Sequence, residues 1–309
     1  MRKTGRTFLA ATVVVLALTA TGCASKGGDG SASSTTGGTG STGSTGGGNA
    51  DGQAAALDPA ALLKLVGEKT SAAKSAKVEV TTEMGASKTA MKGAISWESG
   101  LQGEVSGNVG GAMAESLTEA GGDGSITARY LSDAMYINMG DGMAAQLGGA
   151  HWIKYGYADL AKLMGAAGDS LKNQLQNADP VSSVRALIAS GQVEKTGTET
   201  VGGVKSTKYE GDLAAADLAQ VGGNGLTSEQ TEALQKQFTD SGITTEHIEV
   251  WISTDNLLVK KVESFDSKVG KVVSTALYTD YGSSVATSAP SASDTVDFAE
   301  LMKSAQDAS

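Results

Sequence analysis

The chain has 309 residues, 34 acidic against 24 basic side chains, and a formal net charge of −10. That acidity argues against nucleic-acid backbones as partners. The single cysteine excludes an intrachain disulfide. With only His151 and His247 beside it, the chain falls short of a conventional His- or Cys-based metal site, so no cofactor is expected.

The chain opens with Arg2, Lys3 and Arg6, followed by a mostly apolar run from Phe8 to Ala20. That run has the length of a signal-peptide core and falls short of the ~20 apolar residues a membrane span needs. It leads into Leu18-Thr19-Ala20-Thr21-Gly22-Cys23. Small residues before a cysteine are what a lipoprotein signal peptidase cuts, with one departure: Ala20 stands where leucine is usual. Residues 1–22 are therefore read as a lipoprotein signal peptide. Cys23 becomes the lipidated first residue of the mature chain, a diacylglyceryl anchor at the extracytoplasmic face of the cell membrane. Cleavage removes three positive charges and no negative one, leaving 34 acidic against 21 basic residues, or −13.

From Ala24 to Ala56 no apolar residue is larger than alanine. Such a segment cannot bury enough surface to offset chain ordering. Residues 23–56 are read as the anchor and a disordered tether with a reach of about 30 Å. Gly38 to Gly43 matches the dinucleotide pattern G-x-G-x-x-G but has no strand before it and no helix after it, so it carries no weight.

The folded domain is expected over residues 57–285. Asp58 and Pro59 suit the N-cap and first position of a helix bearing Leu62, Leu65 and Val66. The period then changes to two. Val78, Val80, Thr82 and Met84 share one face of a strand, and Lys77, Glu79, Thr81 and Glu83 the other. Further strands are predicted at 88–98, 101–109, 125–131, 134–138 and 151–155, in an antiparallel meander. A helical block follows. Leu160, Leu163, Met164 and Ala167 lie on one face, and Asp179-Pro180 opens a second helix with a stripe of Val181, Val184, Leu187 and Ile188. Gly191 ends that helix. Strands return at 192–198 and 204–211, and Thr227 with Gln230 forms a capping-box pattern for a helix over 227–241. Strands at 244–253, 257–265 and 269–281 finish the domain, with Ile248, Val250 and Ile252 alternating in the first. The tail, 286–309, is expected to be loose up to Ser293, with a short docking helix around Phe298, Leu301 and Met302.

Strands on both sides of a helical block make an α+β pattern: a curved antiparallel sheet with helices gathered on its concave face. That arrangement can hold an apolar ligand between wall and lid. Nine methionines in an aromatic-poor chain suit an adaptable apolar surface, although gap-filling in an ordinary core explains any single one.

Ser71-x-x-Lys74, Ser132-Asp133-Ala134 and Lys195-Thr196-Gly197 follow the order of the β-lactamase motifs. The context is wrong. Ser71 falls late in the first helix, Ala134 replaces the asparagine, and no strands precede. No G-x-S-x-G elbow is present, and both histidines lie in strand-like segments beside tryptophans. The chain is read as no enzyme.

Several segments resemble a known family. They are the helix leading into Val78-Glu79-Val80, His151-Trp152-Ile153-Lys154, Gly197-Thr198-Glu199-Thr200-Val201-Gly202-Gly203 followed by Thr207-Lys208-Tyr209-Glu210-Gly211-Asp212-Leu213, and Glu249-Val250-Trp251-Ile252 with Asp255 and Leu258-Val259. Together they are similar to the actinobacterial lipoproteins of the LppX/LprG type, whose fold is similar to the LolA and LolB carriers. The resemblance implies a half-barrel that binds lipid acyl chains and takes part in moving lipids or lipoglycans toward the cell surface. The partners expected are the membrane, a lipid or lipoglycan, and an export partner in the envelope. The lining expected is Val78, Val80, Ile248, Val250 and Ile252 from the sheet, with Leu160, Leu163, Met164, Val184, Leu187 and Ile188 from the helices. The alternative is a structural or sensory envelope lipoprotein with a closed core and no ligand. The Gly-rich stretch from Gly103 to Gly124 is read as an insertion.

Overall fold

The computed structural model describes residues 58–176, 178–215 and 228–307. The signal peptide, Cys23, the tether and Thr227 of the capping box lie outside the described residues. Helix α1 (Pro59–Ala73) starts at Asp58 with Pro59 in its first turn and ends at Lys74 in the left-handed region, φ 65°. Its buried face carries Leu63, Val66 and Thr70, turned slightly from the predicted Leu62, Leu65 and Val66.

Six strands follow, interrupted by short helices. They are β1 (Ser75–Met84), β2 (Ser87–Ser96), β3 (Gln102–Asn108), β4 (Ser125–Tyr130), β5 (Ala134–Asn138) and β6 (Trp152–Gly156). Helix α2 (Gly111–Glu119) separates β3 from β4, and α3 (Asp141–Ala144) precedes β6. The supposed insertion is thus an integral strand and a helix. Leu117 anchors α2 to the core at 3 % exposure.

The helical block comprises α4 (Tyr157–Met164), α5 (Ala166–Gln176) and α6 (Ser182–Ser190). Asp179 caps the approach to α6 by accepting the Val181 N–H at 3.0 Å. Gly191 ends it at φ 66°. Then come β7 (Glu194–Val201), β8 (Val204–Ala214), α7 (Ser228–Asp240), β9 (Thr245–Ser253), β10 (Leu258–Ser267) and β11 (Gly270–Thr279).

With a short last strand, β12 (Thr295–Asp297), all strands join one sheet, in the order β12-β6-β5-β4-β3-β2-β1-β11-β10-β9-β8-β7. Two antiparallel meanders, β1–β6 and β7–β11, therefore meet along the antiparallel β1–β11 ladder, which runs from Lys77↔Thr279 to Met84↔Val272.

The tail corrects one expectation. Thr295–Asp297 forms β12, parallel to β6 (Val296 against Ile153), so the sheet is mixed by this one pair. The helix predicted near Phe298 is α8 (Phe298–Asp307), with Phe298 packed 4.8 Å from the Tyr155 ring centroid. The strap is pinned by polar pairs. Asp294 accepts the His151 N–H at 2.9 Å and meets His151 Nδ1 at 2.6 Å. Lys154 Nζ lies 3.2 Å from Asp297.

Glycine lets the backbones of β2 and β3 approach closely. Gly103 adopts φ 137°, and a Cβ there would collide with the Ala94 carbonyl oxygen of the neighbouring strand. Gly107 meets the Ala90 carbonyl in the same way. A side chain at Gly103 would thus force the strands apart and strain the backbone together. Gly103→Val is expected to cost at least about 2 kcal/mol, read as a lower denaturant midpoint of the mature protein.

The strap should respond to pH. Asp294, by hydrogen bond and charge, raises His151 above its ordinary value, and His151 lowers Asp294. The histidine contribution is complete below its unfolded value of about 6.5 and fades as pH rises through the raised folded value. The aspartate contribution is present above about 3.9 and fades as pH falls through the lowered one. Hydrogen-exchange mass spectrometry should find residues 292–307 best protected near pH 5–6 by this argument, with protection falling toward pH 9. In His151→Ala the fall should vanish.

Candidate functional site

The concave face is read directly from strand register. One row crosses eight strands: Ile126, Gly107, Met91, Val80, Ala276, Lys261, Val250 and Tyr209. A neighbouring row contains Ile153, Ile137, Ala128, Val105, Gly93, Val78 and Tyr278. Alternation of side chains across each strand places these on one surface. Nearly all are buried together with Leu63 and Val66 of α1, Leu160 of α4, Leu175 of α5 and Val184 and Leu187 of α6 in a single core.

The residues expected to line a cavity are placed as follows. Val78, Val80, Ile248, Val250 and Ile252 are all at most 4 % exposed on the inner face, and Leu160, Val184 and Leu187 lie against the same core. Ile188 packs on it half-buried. Leu163 departs from the predicted face at 46 % exposure; the short helix α4 presents Leu160 inward and leaves Leu163 to solvent. The side chain of Met164 lies outside the described residues.

Local sequence explains how α6 seats on β8. Tyr209, Gly211 and Leu213 share a face, with Tyr209 and Leu213 at 4 % and 0 % exposure. A Cβ on Gly211 would come within 3.0 Å of Leu187 Cδ2, so the glycine is the slot into which Leu187 fits. The T-x-Y-x-G-x-L pattern is therefore a helix-docking surface.

One part of the inner face is polar, and sequence periodicity missed it. A β-bulge between Leu258 and Lys260 shifts the phase of β10. It turns Lys261 and Glu263 inward, each 3 % exposed, and Val262 away from the core. Lys261 Nζ lies 3.1 Å from Glu263 Oε1 and 3.2 Å from Ser183 Oγ of α6, and the Ser183 hydroxyl donates to Glu263. Glu246 joins the same face at 7 % exposure. Burial first, and then Glu263, push its carboxyl up to about 8. Tyr278 stands on the adjacent strand with a buried hydroxyl that has no hydrogen-bond partner.

The convex face carries a different cluster. Glu210, His247 and Glu249 bring one ligand atom each within 4.8 Å of one another. Lys208 already bridges the two carboxylates, 2.6 Å from Glu210, and its hydrogen bond holds Glu210 below the ordinary value. The ammonium supplies the cation, and His247 turns to Asp212 at 2.8 Å. Trp251 lies over this surface, donates to Glu199 and carries Lys260 4.1 Å above its ring.

The Ser71–Lys74 motif does not assemble as a nucleophile and base. Lys74 pairs with Glu98, and Ser71 Oγ meets Asp179 and Arg185, each at 3.4 Å.

No family model matches the chain. Two curated relatives do. A 31.2 kDa protein from the rplA–rplJ intergenic region of Streptomyces griseus is 50% identical over 248 residues, 79% of this chain and 81% of its own length. A protein of Streptomyces coelicolor that bears the name of a lipoprotein is 35% identical over 303 residues, 97% of this chain and 96% of its own. The chain belongs to this actinobacterial lipoprotein family. Among solved structures, LprF of Mycobacterium bovis aligns over 75% of this lipoprotein and 97% of its own chain, with 16% identity and a TM-score of 0.44. LppX of Mycobacterium tuberculosis covers 75% and 100%, with 15% identity and a TM-score of 0.43. Those scores are too low to carry a ligand or a site across.

The seating of α6 gives a direct mutational contrast. Leu187→Ala should cost about 2–5 kcal/mol by leaving a hole over Gly211, whereas Leu163→Ala should stay within about 0.5 kcal/mol. Urea unfolding of the two variants checks this.

Proposed function

We propose that this lipoprotein binds lipid acyl chains between the concave sheet and the helices that cover it, and carries lipid or lipoglycan across the cell envelope. It would do so from the extracytoplasmic face of the membrane, held there by a diacylglyceryl group on Cys23, with an export partner assisting transfer. The observation that supports this most is the extent of the apolar inner face, which runs across eight strands beneath amphipathic helices. Among the described residues no helix is long and apolar enough to cross a membrane.

The driving force would be burial of methylenes at about 0.8 kcal/mol each, or about 8 kcal/mol gross for ten. That is ample for loading, and release would then require an acceptor membrane or a partner that separates helices from sheet.

A second reading, a structural or sensory lipoprotein with a shut core, is favoured by one observation. Val181, Val184 and Leu187 have no exposed surface at all.

Native mass spectrometry of protein made in its own host separates the two. The carrier reading expects additional mass that organic solvent extracts as lipid, together with uptake of fluorescent fatty acid by the stripped protein. Protein recovered bare and unable to take up the probe would leave the shut-core reading. The N-terminal peptide from the same preparation should begin at Cys23 with a diacylglyceryl mass.

A further inference from the structure

The polar group beneath α6 leaves a buried hydroxyl without a hydrogen-bond partner. Lys261 directs two ammonium protons at Ser183 Oγ and Glu263 Oε1, which leaves it a third to donate. The Tyr278 hydroxyl, on a residue 2 % exposed, has no partner. Glu246, with its carboxyl raised to about 8 by burial and by Glu263, is protonated at neutral pH and adds another donor. Buried donors without acceptors each cost free energy, and a stable interior leaves few of them.

The charge balance narrows what could satisfy them. Lys261 and Glu263 neutralise one another. A buried carboxylate or phosphate would enter as an uncompensated charge beside Glu263, whereas a bare hydrocarbon chain would leave the donors unmet. An uncharged acceptor avoids both penalties. We propose that Lys261 and Tyr278 form a subsite for an uncharged hydrogen-bond-accepting group of the carried lipid, an ester carbonyl being the simplest case, with Glu246 farther along the same face. This rests on the carrier reading and adds to it a polar contact deep on the concave face. Ser183 makes α6 part of the subsite, so the same helix covers the ligand and holds the lysine in place.

The charged groups that act on Glu246 are Glu263 and Lys261 on β10, and its register neighbours are Leu213 on β8 and Phe265 on β10. Glu246, its carboxyl raised to about 8, changes charge at mildly alkaline pH. Its ionisation removes a donor and adds a negative charge.

The test uses the full mature protein with three probes: dioleoylglycerol, oleate and 1-octadecene. Wild type should prefer dioleoylglycerol at pH 7. Tyr278→Phe removes only an unpartnered hydroxyl and should weaken dioleoylglycerol binding roughly three- to tenfold while leaving octadecene unchanged. The ester preference should decline as pH passes about 8, and Glu246→Gln, which keeps a donor and cannot ionise, should flatten that decline. An unchanged ester-to-hydrocarbon ratio in Tyr278→Phe, or tighter binding of oleate than of the ester, would overturn the subsite and leave the carrier standing. Uptake of none of the three probes would remove both.

Discussion

Two antiparallel meanders, built from opposite ends of the domain, become one sheet only where β1 meets β11. The ladder pairs residues about two hundred positions apart, from Lys77↔Thr279 to Met84↔Val272. Every other antiparallel pairing joins strands that are neighbours in chain order. Closing so long a segment costs conformational entropy that grows slowly with length, and contacts of such separation form late and slowly in folding. The inner face offsets this. Val78 and Val80 on β1 stand against Tyr278 and Ala276 on β11, all four at most 4 % exposed. Helix α1 is tied to the strand beside it, β10, its Thr70 hydroxyl accepting the Leu258 N–H at 3.2 Å. With no disulfide available, this seam carries the integrity of the concave wall.

The two halves then contribute unlike surfaces to that wall. The first meander is aliphatic and aromatic, with Met91, Val105, Ile126 and Tyr130 buried and glycines letting its backbones approach closely. Burial pushes the Tyr130 and Tyr155 phenols up to about 12. The second meander is aliphatic too but holds the Lys261–Glu263 pair under α6. Replacing a buried ion pair by well-packed apolar groups is often neutral or stabilising, so stability alone does not account for the pair. Removing one partner would leave the other charged and buried, which fixes the phase of β10 firmly.

Much of the architecture was legible because its signals are local. The alternation of β1, the ends of β5 and the Gly191 stop of α6 follow from side-chain period and backbone preference. The inner face of β9 did too, since Ile248, Val250 and Ile252 alternate without a break. The failures have identifiable causes. The bulge in β10 changes the phase of a strand whose sequence, Leu-Val-Lys-Lys-Val-Glu-Ser-Phe, fits either face. Gly103 and Gly107 lie within the predicted strand at 101–109, but the Gly-rich stretch that Gly103 opens read as an insertion, whereas the two glycines mark close backbone approach between neighbouring strands. Strand β12 is only three residues long and is specified by partners 143 residues away, Asp294 on His151 and Asp297 on Lys154. No window of sequence contains that information.

An open sheet must also be kept open. Unpaired edges invite pairing with other chains, and this sheet treats its two edges differently. At one, β12 and α8 cover β6 with the chain's own tail, pinned by Asp294 and Asp297. At the other, β7 carries Glu194, Lys195 and Glu199 and is bulged between Lys195 and Gly197, so charge and irregular geometry discourage a neighbour. Closing β7 onto β12 would make a barrel and shut the concave face away. Capping each edge separately keeps the sheet a curved wall and leaves covering the concave face to helices, which can part from it without breaking a backbone ladder.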